Sequence, residues 1–428
     1  MILITYTTEY RAVGDKFERV ANTMALELKG LGKIKCVKIE SKRDLKAIFY
    51  ALIEKGEKLS EFHFIGHSGI YGPMFGTEKY PEQFSPFEWK NLSIPFAEEG
   101  KAYFHCCRSA RWFANFFAQT FQVETFGFYW YTTFSKSPVK FRKEWKPEGN
   151  LYSIGCIGRK SHGVIMGSLK KYSGFQKAEE LKSFLPSSID DRTYNKVAAL
   201  YDAVFQDIKV REDEWNWMSK RLEFNSSSTA LDIGCGNGAL LKEFAPFVKN
   251  GYGVDLSESL LAFAKKMHQG NEHISFHQVN GPQLPFEDNS IDVATSLLSF
   301  RYLDWDPLMK ELERVLKPNG KLLIIDMVAV PPKPIEYFRL LGSKRKHYQH
   351  RKKYPEYYHA LTKLVADEDW RKMLQYNPIR SEHEMKWYLE SRFPGQKMET
   401  INIGYHSRVV AFDTGPFNKI KNLELTYP

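Results

Sequence analysis

The stretch Leu231-Asp232-Ile233-Gly234-Cys235-Gly236-Asn237-Gly238 constrains the fold more than any other part of the 428-residue chain. Ala230 to Ile233 is a short apolar run of strand type, and three alternating glycines follow it. Without a Cβ, glycine lets the backbone turn tightly and approach a ligand closely. Ala239 to Phe244 then opens a helix, whose first amides face the same spot. A second apolar run, Tyr252 to Val254, ends in Asp255. A carboxylate there can accept two hydrogen bonds from a ribose diol. Strand, glycine turn, helix, strand and acid form the layout of a nucleotide-type ligand held at the top of a parallel sheet.

The glycine spacing is not that of the dinucleotide fingerprint. It resembles the first motif of the class I S-adenosylmethionine-dependent methyltransferases of the small-molecule, type 11-like kind. Downstream, Leu284-Pro285-Phe286-Glu287-Asp288-Asn289-Ser290-Ile291-Asp292 resembles the family's lead into its fourth strand. Leu312 to Leu316, Lys317 to Lys321 and Leu322 to Asp326 resemble the helix, turn and fifth strand that follow. The resemblance implies S-adenosylmethionine as cofactor. Asp232, Gly234, Gly236 and Gly238 would line its methionine end, Asp255 would hold the ribose, and Leu256 would flank the adenine. Relatives often carry an acid just before the "LPF" segment; here Asn280 stands near that place and is assigned to the adenine. Methyl transfer is an in-line displacement, so the protein mainly supplies alignment and desolvation. The end of the fourth strand offers Arg301 and Tyr302 as candidates for contact with the methyl acceptor.

At this length the chain should form two or more domains. No run of about 18 apolar residues suggests a membrane-crossing helix. The N-terminal Met1 to Tyr6 has strand character and is not read as a signal peptide. Five cysteines, at 36, 106, 107, 156 and 235, show no paired spacing, which fits reduced thiols in a cytoplasm. Lys and Arg against Asp and Glu count 25 to 17 over residues 1–170, 18 to 23 over 171–330, and 18 to 11 beyond. The basic run Lys344 to Lys353 could draw an anionic partner, and a solvated helix face is the simpler expectation. No recognisable nucleic-acid-binding or metal-binding motif accompanies it.

Residues 1–170 alternate strand-like and helix-like stretches and read as an α/β domain of their own. A linker is expected over 171–188, with a second domain over 189–428. That second domain should be a Rossmann-like, seven-stranded sheet with a helical lid inserted over 328–393. A lead-in helix over Asp191 to Phe205 should close over the cofactor, and Met398 to Gly404 and Ser407 to Thr414 should form the last antiparallel hairpin. Aromatic residues in the lid, including Tyr337, Phe338, Tyr348 and Trp370, suggest an aromatic or anionic small-molecule acceptor.

The first domain has its own constellation. His63-Phe64-Ile65-Gly66-His67-Ser68-Gly69 closes one strand, and Phe104-His105-Cys106-Cys107-Arg108-Ser109 closes another. The pair resembles the caspase-like (clan CD) fold, with Ser68 standing where glycine is common. The resemblance implies His67 as base and Cys107 as nucleophile, with Cys106 on the opposite face of its strand. Three functions therefore stand as expectations. One is S-adenosylmethionine-dependent methyl transfer to a small molecule. Another is a caspase-like cysteine peptidase fused to a methyltransferase that modifies peptide or protein. The last is a non-catalytic domain pair, with a protein partner for the first domain.

Overall fold

The computed structural model describes all residues except 8–13, 77–81, 157–176, 192, 331–335, 405–406, 418–419 and 421–428, together with all side chains except those of 14, 337–339 and 341–344 within these bounds. The chain divides into two units, with the break between Asp190 and Asp191.

The first unit begins β1 (Ile2–Thr7), α1 (Gly14–Glu27), β2 (Ile34–Ile39), α2 (Lys42–Glu54) and β3 (Leu59–Ile65). Three short strands follow, β4 (Ser68–Gly69), β5 (Gly72–Phe75) and β6 (Glu82–Gln83), then α3 (Pro86–Lys90). The long β7 (Phe96–His105) leads through a 3-10 turn to α4 (Phe113–Phe121) and β8 (Glu124–Gly127). A hairpin, β9 (Tyr131–Ser135) and β10 (Tyr152–Cys156), and β11 (Lys182–Phe184) complete it. The main sheet has the order β11-β8-β7-β3-β1-β2.

All six residues of β1 are buried, as a central strand covered on both faces requires. Alternate side chains go to different cores. Leu3, Phe62, Phe64 and Phe104 pack with α2 and α4, whereas Ile2, Ile4 and Tyr6 pack with Phe17 and Val20 of α1. Capping boxes start α2 (Ser41 with Asp44) and α3 (Ser85 with Glu88). All five cysteines are free.

The expected linker is corrected by this sheet. Lys182 to Phe184 pair antiparallel with β8, and Glu179 donates its amide to the Gly155 carbonyl. An edge strand needs only one partner strand, so its polar composition reads like that of a linker. Residues 171–176 and the boundary residue Gly163 lie outside the described residues.

The second unit contains α5 (Ala198–Val204), α6 (Glu212–Ser219), β12 (Thr229–Ile233), α7 (Ala239–Phe244), β13 (Asn250–Asp255), α8 (Glu258–Met267) and β14 (Ile274–Gln278). Then come β15 (Ile291–Leu297), α9 (Trp305–Val315) and β16 (Leu316–Ala329). Four described helices stand between β16 and the last hairpin: α10 (Glu336–Lys353), α11 (Pro355–Ala366), α12 (Glu368–Tyr376) and α13 (Glu382–Arg392). The hairpin is β17 (Glu399–Ile403) and β18 (Ser407–Asp413).

The seven strands lie in the order β14-β13-β12-β15-β16-β18-β17. Five are parallel, and β18 runs antiparallel to both β16 and β17. This is the open, twisted α/β sheet expected from the alternation of apolar runs and amphipathic helices. Chain order reverses between β12 and β15, where crossover connections leave the sheet in opposite directions. The glycine turn sits at that switch point, where such sheets bind ligands. The Pro318-Asn319-Gly320 turn survives as a bulge inside β16: Ile291 pairs with Leu316 and Val293 with Lys321, and Asn319 has φ +68°. The lead-in helix is shorter than expected, a 3-10 turn at Asn195–Val197 followed by α5. Among the described residues no helix is long and apolar enough to cross a membrane.

Candidate functional site

β12 is wholly buried and delivers the chain to Gly234, Gly236 and Gly238, all at positive φ (71°, 55° and 79°). A Cβ on Gly234 would sit 2.4 Å from the Ser299 Cβ, so this position is closed to any larger residue. A Cβ on Gly236 would meet the Tyr201 ring at 3.4 Å, which leaves the backbone there open toward α5. Both amides after the strand are held: Gly234 and Cys235 donate to the Val254 carbonyl.

Asp255 ends β13 beside this turn. Its Oδ2 accepts the Gly236 amide at 2.9 Å and its Oδ1 accepts the Ser257 amide at 2.8 Å. Burial raises the carboxyl pKa, and the amides of Ser257, Gly236 and Leu256 oppose the shift. Leu256 is 40% exposed and Asn280 is exposed. Val279 donates its amide to the Asp255 carbonyl, so Asn280 shares the rim with Asp255. Asp255, Leu256, Asn280 and the glycines thus lie along one edge of the sheet.

Asp232 is placed differently. It is 2% exposed, and its Oδ1 accepts the Thr295 hydroxyl at 2.8 Å. Burial, with help from the charge of Asp255, pushes its carboxyl up to about 7. It lies under the turn, inside the sheet, rather than on the rim.

The lead-in segment closes over the turn. Asn237 Nδ2 donates to Asp202 Oδ1 at 2.9 Å and to the Phe205 carbonyl at 3.2 Å. Ser257 Oγ donates to Asn195 Oδ1 at 2.8 Å. Tyr201 lies against Gly236, and burial pushes its hydroxyl up to about 12. Helix α11 packs on this segment through Leu364, Val197 and Val204, and Trp370 of α12 meets Tyr194 with ring centroids 5.9 Å apart.

Arg301 and Tyr302 follow β15. Arg301 is 7% exposed and is committed inside the protein. Its Nη1 is paired with Asp326 Oδ1, and its amide donates to Asp326 Oδ2 at 2.6 Å. Burial alone would lower the guanidinium pKa, and Asp326 and the neighbouring tyrosines reverse that into a rise. Arg301, a candidate for contact with the acceptor, is thus held inside the protein by Asp326. Its Nη2 donates to the Tyr302 hydroxyl at 2.6 Å, and Tyr194 donates to the same oxygen at 3.3 Å. With both donors on its oxygen, the Tyr302 O–H has its own proton left to give.

Sequence reasoning did not single out Asn195, Asp202, Asn237, Thr295, Ser299 or Asp326. Asn195 and Asp202 fall in the stretch that resembles a closing helix, and Asn237 and Asp326 fall within quoted motifs. Two residues of the basic run pair locally, Lys346 with Asp213 and Lys353 with Glu212. The side chains of Tyr337 and Phe338 lie outside the described residues.

In the first unit, His67 follows β3 and Cys107 follows β7. These strands are parallel neighbours with Ile65 opposite His105, so both residues leave adjacent carboxyl ends. Cys107 Sγ accepts the Thr132 amide at 3.3 Å and lies 3.3 Å from Thr132 Oγ1. Ser68 Oγ donates to the Cys107 carbonyl, and the His67 ring meets Phe17 edge-on at 5.1 Å. Cys106 is fully buried, and burial pushes its thiol up to about 12.

The family described as "Methyltransferase domain" matches residues 231–324. A 2-phytyl-1,4-naphtoquinone methyltransferase of Trichormus variabilis is 36% identical over 142 residues, 31% of this chain and 62% of that protein. A sterol 4-C-methyltransferase of Caenorhabditis elegans is 32% identical over 115 residues, 26% of this chain and 34% of that one. A demethylmenaquinone methyltransferase of Lactobacillus johnsonii is 31% identical over 166 residues, 35% of this chain and 67% of that protein. The chain spans less than two thirds of the length of the first two.

Proposed function

Because the chain belongs to the S-adenosylmethionine-dependent methyltransferases, we propose that its second unit methylates an apolar, ring-bearing small molecule of quinone type. The observation that carries the cofactor assignment is the Asp255 carboxylate at the rim of an open glycine turn. Two of its lone-pair sites hold Gly236 and Ser257, and the others remain for a ribose diol. The fit is supported by Gly236, whose missing Cβ leaves the backbone approachable under Tyr201. The glycine amides would face the methionine end, Leu256 the adenine face, and Asn280 its edge. Asp232 would act from below, by bracing the strand that carries the turn. The cofactor supplies a methyl group on a sulfonium, already activated for displacement.

The chain's own residues then have to orient the acceptor and exclude water. Tyr194, Tyr201, Tyr302 and Trp370 form an aromatic wall suited to a planar ring. Tyr302 is the polar handle. Arg301 and Tyr194 donate to its oxygen, so its proton points away and can hold an acceptor oxygen. An oxygen-bearing ring held in this way can present an adjacent carbon, consistent with the quinone and sterol relatives. The test is incubation of the purified full chain with S-adenosylmethionine and a panel of demethylated quinols, sterols, phenols, polar amines and a protein substrate, read by mass spectrometry. A gain of one methyl group on a ring carbon of a quinol supports the reading. Methylation confined to polar amines or to protein overturns it.

A second reading concerns the first unit, where adjacent parallel strands bring His67 and Cys107 to one sheet edge. The Thr132 amide and hydroxyl at Cys107 Sγ would support a thiolate. In this reading the unit is a caspase-like thiol hydrolase. Labelling of Cys107 by an electrophilic peptide, lost in His67→Ala, supports it. Labelling that persists in His67→Ala overturns it.

A further inference from the structure

A cavity of about 640 Å³ opens within the first unit. Its walls are mostly apolar, from Val20, Met24, Phe128, Leu151 and Ile154. Glu27, Lys140, Lys177, Glu179 and Glu180 add charge to the lining, and His105 of the main sheet also lines it. His105 is 9% exposed and stands at the end of β7. Behind it runs a chain of hydrogen bonds across the sheet. His105 Nε2 lies 3.2 Å from His63 Nδ1, and His63 Nε2 lies 2.8 Å from Glu61 Oε2. Glu61, His63 and His105 share one face because alternate residues of paired strands do so. The His63 ring is fixed by stacking on Tyr103 at 4.6 Å.

With His63 neutral, this chain of hydrogen bonds sets the proton positions. The hydrogen bond from His63 holds the Glu61 carboxyl below its usual range, so Glu61 is an acceptor. It takes the Nε2 proton of His63, which leaves Nδ1 of neutral His63 as a lone pair. His105 must then donate from Nε2. Its Nδ1 is thereby the unprotonated nitrogen, and it has no hydrogen-bond partner among the described residues. Burial, with the neighbouring His63, lowers the His105 pKa to about 3, so His105 does not hold a positive charge of its own. A proton taken up at Nδ1 can be passed on, because the adjoining ring faces a carboxylate.

We propose that this cavity is a second ligand site, for a largely apolar small molecule with an acidic hydroxyl of phenol type, whose proton His105 Nδ1 accepts. The ligand O–H bond breaks and the His105 Nδ1–H bond forms. The His105 Nε2 proton moves to His63 Nδ1. The ligand becomes a phenolate, His105 remains neutral as the other tautomer, and His63 becomes an imidazolium opposite the Glu61 carboxylate. No oxidant or further reactant is required. The site does not depend on methyl transfer by the second unit.

The test uses the full chain, with 2-naphthol and its methyl ether as probes. Neutral and ionised naphthol absorb at different wavelengths. The wild type is expected to bind the naphthol at least about tenfold tighter than the ether, consistent with one hydrogen bond to a buried acceptor, and to show the ionised band. His63→Phe keeps a stacking ring on Tyr103 but breaks the chain, so binding should persist while the ionised band disappears. Glu61→Gln removes the charge that holds the imidazolium and should give the same loss. Circular dichroism identifies any variant that has lost its fold, and the other variant then carries the test. Equal affinity for the two probes overturns the proposal, as does an ionised band unchanged in a folded variant.

Discussion

Replacement of Asp255 probes the cofactor site most directly. Each oxygen of this carboxylate holds one backbone amide, Gly236 at 2.9 Å and Ser257 at 2.8 Å, and has a second lone pair toward the rim. Two hydrogen bonds from a ribose diol to a charged acceptor contribute about 1.5–3 kcal/mol each. Asp255→Ala should therefore weaken S-adenosylmethionine binding by roughly 3–6 kcal/mol, about 10² to 10⁴ in Kd. Asp255→Asn keeps one acceptor oxygen and should fall between. Titration calorimetry with S-adenosylmethionine measures both, and thermal unfolding without cofactor separates lost contacts from a collapsed turn. The wild type adds a pH signature. Burial raises the Asp255 pKa, and a protonated carboxyl accepts less well. Affinity should thus fall as pH drops through that raised value, and Asp255→Asn should not show this fall. Stability runs the other way, since a carboxyl with a raised pKa in the fold favours the folded state at low pH. An Asp255→Ala protein that binds within about threefold of wild type would refute the reasoning, because two charged hydrogen bonds are worth far more than that.

Three further outcomes follow from the same geometry. Gly236→Val forces a branched side chain to φ +55° within 3.4 Å of the Tyr201 ring, so cofactor binding measured by calorimetry should be lost while circular dichroism is retained. Tyr302→Phe removes the proton offered to the acceptor; kcat should fall about 10²-fold at unchanged cofactor Kd, and an equal loss in both would mean a structural role. Asp326→Asn leaves the buried Arg301 guanidinium without its counter-charge and should destabilise the second unit by about 3–5 kcal/mol, read as a lower urea midpoint.

Asp232 is buried under the turn, with Thr295 on its oxygen. A carboxyl raised to about 7 under the turn is tolerated because Thr295 donates to it. Its cost to stability grows as pH rises from the ordinary carboxyl range toward 7. Loss of that trend in Asp232→Asn would identify this group as the source.

The sheet of the second unit was legible because its signals are local. Apolar strand runs, the three glycines, Asp255 and the Lys317 to Lys321 turn each sit within a few residues of the elements they specify, and their order along the chain dictates a parallel sheet with a terminal hairpin. The placing of Gly234 to Gly238 beside Asp255 was legible for the same reason, since they close adjoining strands. What the sequence left open depends on contacts between distant positions. Arg301 looked like an available cation until the fold set Asp326, 25 residues away, against it. The burial of Asp232 and its partner Thr295, 63 residues away, could not be read from the motif. Asp202 reaches Asn237 across 35 residues, and His63 reaches His105 across 42. Lys182 to Phe184 of the expected linker became an edge strand because β8 offered them hydrogen-bonding groups. Periodicity and turn chemistry act over a few residues, so the sequence alone determined the elements and their order. Which polar groups are neutralised, buried or left to face a ligand depends on side chains that only the folded sheet brings within 3 Å of one another, and that was decided by the tertiary structure.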